Sequence, residues 1–127
     1  MARGATLAVL LVDDNVDAAQ TLAMLLESAG HRVTVAHDPR DALTRAEGAR
    51  FDACLLDIGL PGMDGRELAR RLRALPAARD AMMIAISGYG QQFDREAALQ
   101  GSFDHYFVKP VDPAELFGLL ATATPGQ

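Results

Sequence analysis

Leu7-Ala8-Val9-Leu10-Leu11-Val12-Asp13-Asp14-Asn15 is the stretch on which the fold turns. A short apolar run that stops at two adjacent acids reads as a strand covered on both faces, with its carboxyl end at solvent. Asn15 then stands where a helix N-cap belongs. The same device returns downstream. Asp57 follows Ala53-Cys54-Leu55-Leu56, Ser87-Gly88 closes the run from Met82, and Lys109 follows Tyr106-Phe107-Val108 and precedes Pro110.

Working outward, apolar runs alternate with amphipathic ones. Strands are expected at Leu7–Val12, Arg32–Ala36, Ala53–Leu56, Met82–Ser87 and Tyr106–Val108, and helices at Val16–Ala29, Pro39–Gly48, Arg66–Leu75, Gln91–Gln100 and Pro113–Thr122. Gly30 fits a left-handed residue just past the first helix. Asp38-Pro39 and Asp112-Pro113 each pair an N-cap with a first-turn proline. Gly62 serves the turn after Pro61, Gly65 opens the third helix beside the cap Asp64, and Gly101 ends the fourth helix.

Strands alternating with helices give an α/β fold: a doubly wound, five-stranded parallel sheet of order 2-1-3-4-5 with five helices, flavodoxin-like. The alternating Arg32–Val35 suits an edge strand. Ligands of such sheets sit outside the carboxyl ends, at the switch point between the first and third strands. Asp13, Asp14 and Asp57 map to that crevice.

Composition sets the class. All 127 residues are expected to form one domain, with a core from about residue 7 to 122 and short flexible termini. A net charge of −5 argues against nucleic acid or anionic membrane as a direct partner. The single cysteine, Cys54, excludes an internal disulfide and reads as a buried hydrophobe, in keeping with a cytoplasmic setting. No apolar stretch approaches the ~20 residues of a membrane span, and Met1-Ala2-Arg3-Gly4 reads as too short and wrongly flanked for a signal peptide.

Clustered acids at one sheet edge repel one another unless a cation offsets them. Oxygen ligands without convergent His or Cys suit Mg²⁺. A carboxylate beside Mg²⁺ and a lysine is arranged to receive a phosphoryl group. Each residue alone has an ordinary explanation: Asp13-Asp14 as a polar turn, Asp57 as a loop acid, Lys109 as a solvated charge, Ser87-Gly88 as a strand end. Their agreement on one rim carries the signal. His31, His37 and His105 show no ligand spacing and read as surface or strand-end residues.

The sequence closely resembles the receiver domain of bacterial two-component signalling, the response-regulator family. The matching text is Val12-Asp13-Asp14-Asn15, Leu56-Asp57-Ile58-Gly59-Leu60-Pro61-Gly62-Met63-Asp64-Gly65, Ile86-Ser87-Gly88 and Tyr106-Phe107-Val108-Lys109-Pro110. The style of Asp57–Gly65 and Val108–Pro113 is similar to receivers of hybrid sensor histidine kinases.

The resemblance implies that Asp57 is the nucleophile and takes a phosphoryl group from a phosphohistidine. It implies Mg²⁺ held by Asp14, Asp57 and the Gly59 carbonyl, with Asp13 acting directly or through water. Ser87 and Lys109 would bind phosphoryl oxygens, with Gly88 leaving room for close approach. Gly59 and Tyr89 would tune the lifetime of the acyl phosphate. Ser87 and Tyr106 would form the switch pair, although Tyr106 also reads as a half-buried strand aromatic. The output surface would be the fourth helix, fifth strand and fifth helix. Such a domain catalyses its own phosphorylation and slow hydrolysis.

The implied partners are a histidine kinase or histidine phosphotransfer protein and a downstream protein or attached domain. No effector region is visible, so the chain is read either as a stand-alone receiver or as one cut from a longer protein. The first helix is apolar over about half its circumference, wider than the ~100° stripe that packing needs. Its excess side, Ala18, Leu22 and Leu25, suits a docked histidine-bearing bundle, and an alanine-rich surface helix looks the same. Lys109-Pro110 is a candidate cis peptide.

Two other classes weigh less. A haloacid-dehalogenase-type phosphatase wants Asp-x-Asp after its first strand, whereas the acids here are adjacent. A flavodoxin-like cofactor module wants a Ser/Thr/Gly-rich phosphate loop there, and Asp13-Asp14 would repel a phosphate.

Overall fold

Strand β1 (Ala8–Val12) occupies the middle of the sheet because its side chains are apolar in both directions, and four of its five residues are buried. The computed structural model describes residues 6–58, 65–88 and 103–123. Along the chain follow α1 (Val16–Ser28), β2 (Arg32–Ala36), α2 (Pro39–Glu47), β3 (Ala53–Asp57), α3 (Gly65–Arg73), β4 (Met82–Ser87), β5 (His105–Val108) and α4 (Pro113–Leu120). All strand pairs are parallel and the order is β2-β1-β3-β4-β5, the doubly wound flavodoxin-like arrangement the sequence implies. The helix expected at Gln91–Gln100, the cap Asp64 and the turn at Gly62 lie outside the described residues.

Element ends move slightly from their expected places. β3 runs through Asp57 instead of stopping at Leu56, because the ladder to β4 continues to the pair Asp57 and Ile86. α3 is shifted toward its N-terminus, Gly65–Arg73 rather than Arg66–Leu75, and α4 stops at Leu120, where its last turn tightens into i→i+3 bonds such as Thr122 N to Leu119 O.

The sheet separates two apolar layers. Leu10, Val12, Cys54, Leu56, Met83 and Ala85 face α2 and α3. Val9, Leu11, Ala53, Leu55, Ile84 and Ile86 face α1 and α4. Period-two alternation in the central strands thus buries both faces, as a parallel sheet requires. β2 lies at an edge and is only half-buried over Val33–Val35.

Helix ends follow their capping residues. The Asn15 side chain accepts from Ala18 N at 3.0 Å and Asp38 from Asp41 N at 2.8 Å. α1 closes in a Schellman turn: Gly30 N bonds Glu27 O, His31 N bonds Leu26 O, and Gly30 adopts φ +97°. At the sheet's amino edge, Asp104 Oδ2 accepts from Met83 N and from Arg73 of α3, which fixes the start of β5. No described helix is long and apolar enough to cross a membrane.

Candidate functional site

Strand register assembles the rim. Val12 pairs with Leu56, so Asp13 and Asp57 leave adjacent strands side by side. Asp57 pairs with Ile86, and Ser87 pairs with Val108, whose successor Lys109 donates its backbone N–H to Ser87 O at 2.8 Å. Four residues from four strands are therefore set in a row by backbone hydrogen bonds alone.

Carboxylate oxygens of Asp13, Asp14 and Asp57 all lie within 4.8 Å of one another. Asp13 and Asp57 are buried, at 6% and 7% exposure, while Asp14 is exposed. Lys109 Nζ donates to Asp13 Oδ2 at 3.0 Å and to Asp57 Oδ2 at 3.4 Å. Burial alone would depress the Lys109 ammonium. Its bond to Asp13 and the charges of Asp57 and Asp13 outweigh that effect and hold its pKa above the ordinary lysine value. Asp13 Oδ1 also takes the Asn15 N–H at 2.9 Å, which ties this carboxylate at both oxygens.

The donor set is three hard carboxylates with no imidazole or thiolate among them, which fits a divalent cation such as Mg²⁺. Among the described residues these carboxylates face the Lys109 ammonium, and a divalent cation would offset the charge that remains. Cys54 takes no part. Burial pushes its thiol up to about 12, against a smaller pull from Arg73.

Ser87 is on the rim and 2% exposed, but its hydroxyl donates to Gly88 O at 3.3 Å rather than to the acids. Tyr106 packs half-buried against the α2–α3 layer, the strand-aromatic arrangement. Gly59 and Tyr89 lie outside the described residues. The Lys109-Pro110 peptide is cis, as expected. Beside the acids runs a groove of about 700 Å³, lined by Ala18, Leu22 and Leu25 of α1, by Lys109, and by Pro110 and Val111.

Two features were not expected. His37, read as a surface or strand-end residue, places Nδ1 3.0 Å from the Asp13 carbonyl oxygen. Gly65, read as a helix opener, lies so close to β3 that a Cβ there would stand 2.7 Å from Ile58 Cα. Its spacing from Asp57 is the only sequence signal for that contact, which locks α3 against the end of β3.

Comparison with known proteins agrees with this geometry. The response regulator receiver domain family matches residues 9–121. A 14.6 kDa protein of Leptolyngbya boryana is 40% identical over 112 residues, covering 88% of this chain and 86% of that one. The cyclic di-GMP phosphodiesterase response regulator RpfG of Xanthomonas campestris is 42% identical over 110 residues, and the match spans 85% of this chain but only 29% of RpfG. Among solved structures, the receiver domain of a sensor histidine kinase from Pseudomonas aeruginosa, with a magnesium ion coordinated in its active-site cleft, superposes with a TM-score of 0.79 at 38% identity, covering 91% of this chain and 95% of that one. The chain belongs to the response-regulator receiver domain family of two-component signalling.

Proposed function

We propose that the protein is a phosphoacceptor in a two-component relay, with Asp57 taking a phosphoryl group from a phosphohistidine. The observation that carries the reading is the convergence of Asp13, Asp14 and Asp57 within 4.8 Å, closed on one side by Lys109. An Asp57 carboxylate oxygen forms the new P–O bond as the donor's P–N bond breaks, and the imidazole leaves with its electron pair. Asp13, Asp14 and Asp57, with the Gly59 carbonyl by family resemblance, would hold Mg²⁺. When bound, the ion offsets the charge of the acids and of the transferring group. Lys109 would bind one phosphoryl oxygen as a point cation, and Ser87 would rotate from Gly88 O to donate to another. Tyr106 would then follow Ser87 as the second member of the switch pair, altering the surface around β5 and α4.

The partner that delivers the phosphoryl group is a histidine kinase or a histidine phosphotransfer protein. The α1 groove beside Lys109 supports this reading. It offers an apolar seat for a helix whose histidine reaches the acids, and its Leu25 is 37% exposed. We read residues 1–127 as one cytoplasmic receiver domain, acting alone or within a longer protein, with a downstream protein or attached domain as its output.

Incubation with acetyl phosphate and Mg²⁺, followed by intact mass, tests the chemistry. One phosphoryl group should be gained, and the gain should vanish with EDTA and in Asp57→Asn. An unchanged adduct in that variant, mapped to the same peptide, would overturn the assignment of Asp57.

A further inference from the structure

We propose that His37 is a positioning residue for the acidic site: its Nδ1–H holds the Asp13 carbonyl and so aims Asp14 at the other two carboxylates. The inference rests on the phosphoacceptor reading above and adds to it a role for a residue of the β2–α2 turn. It begins where the ladder between β1 and β2 runs out. The last bond there joins Asp13 N to Ala36 O at 3.1 Å. In an evenly spaced parallel ladder, the next donor to meet the Asp13 carbonyl would be the Asp38 amide. But β2 stops at Ala36, and Asp38 is already the N-cap of α2, with extended φ and its side chain on Asp41 N. The His37 imidazole takes that place, with Nδ1 3.0 Å from the carbonyl oxygen.

A carbonyl oxygen only accepts, so this nitrogen must carry the proton. In the neutral ring the proton is then on Nδ1 and absent from Nε2, the reverse of the arrangement that free histidine favours. His31 provides the opposite case within the same chain. Its Nδ1 accepts from Leu7 N at 3.2 Å, so its proton belongs on Nε2.

The consequence for the site follows from peptide planarity. The Asp13 carbonyl and the Asp14 amide share one rigid plane, so fixing the oxygen fixes the direction in which the chain enters Asp14. Asp13 is held by Lys109 and Asn15, and Asp57 by its ladder and Lys109. Asp14 is the exposed member of the three, and the peptide leading into it is where angular freedom would otherwise remain. Outer partners that orient ligands typically change metal affinity about 10- to 100-fold when removed.

Nitrogen-15 NMR of the metal-free protein near neutral pH should show His37 protonated at Nδ1 and His31 at Nε2. Titration with Mg²⁺, followed by amide shifts, should show His37→Ala binding about 10-fold more weakly. His37→Asn, whose amide nitrogen falls at the Nδ1 position, should recover most of that loss, and His37→Gln, whose amide falls at Nε2, should not. The rate of acetyl-phosphate labelling at saturating Mg²⁺ should stay near that of the parent. A His37 ring whose Nδ1 carries no proton, or equal Mg²⁺ affinities in the Asn and Gln variants, would overturn the proposal even if His37→Ala fails to fold. Failure of the parent to take up phosphate would instead overturn the phosphoacceptor reading and leave the tautomer and the titration standing.

Discussion

His31 shows how one side chain can make stability depend on pH. It follows Gly30 in the cap of α1, and its Nδ1 accepts the Leu7 N–H at the entry to β1. Burial lowers its pKa below the ordinary 6.5, because the half-buried ring resists becoming charged. Protonation would also put a hydrogen where Leu7 needs an acceptor. The unfolded chain therefore binds this proton more readily than the folded one. By linkage, the contribution is present above the ordinary value and is lost as pH falls through the lowered one. Melting temperature should fall on acidification below pH ~6.5, and His31→Leu, which cannot charge, should fall less. Parallel curves for the parent and the variant would remove His31 as the source.

At the scale of elements, the end of α1 offers a comparable test. Gly30 sits at φ +97°, where an L side chain meets its own backbone, although the space around it is open. Gly30→Ala should therefore cost about 1–2 kcal/mol in urea unfolding with little change in slope. Gly30→Asn should cost less, because Asn tolerates the left-handed region. A midpoint unmoved by alanine would mean that the turn relaxes to negative φ. This glycine was legible in the sequence because a helix stop is a local event, and so were Asn15, Asp38 and the strand ends. The rim was legible for a related reason: in a parallel sheet, apolar runs of similar length bring their carboxyl ends to one edge, so chain order alone groups Asp13, Asp57, Ser87 and Lys109 there. What escaped depends on approach between separate elements. Apart from its spacing from Asp57, nothing about Gly65 in the sequence announces Ile58 at 2.7 Å, and nothing near His37 announces the Asp13 carbonyl. The bond from the Ser87 hydroxyl to its own neighbour Gly88 depends on a rotamer, which spacing does not encode.

For the whole molecule, folding and ion binding should be one equilibrium. Asp13 and Asp57 are buried at the sheet edge because the central strands deliver them there, Asp14 stays exposed beside them, and among the described residues Lys109 faces them from within the fold. The folded state thus concentrates negative charge that the unfolded chain disperses, in a protein whose net charge is already −5. An ion that binds this cluster but not the unfolded chain adds RT ln(1 + [L]/Kd), about 1.4 kcal/mol at ten times Kd. For a domain of this size that corresponds to a rise of roughly 3–6 °C in melting temperature. Melting temperature should climb with Mg²⁺ concentration at constant ionic strength, and K⁺ at matched strength should not reproduce the climb. Asp14→Asn and Asp57→Asn should each flatten it, since each takes a ligand from the cluster. A parent whose melting temperature ignores Mg²⁺ would mean that the three carboxylates meet without forming a metal site.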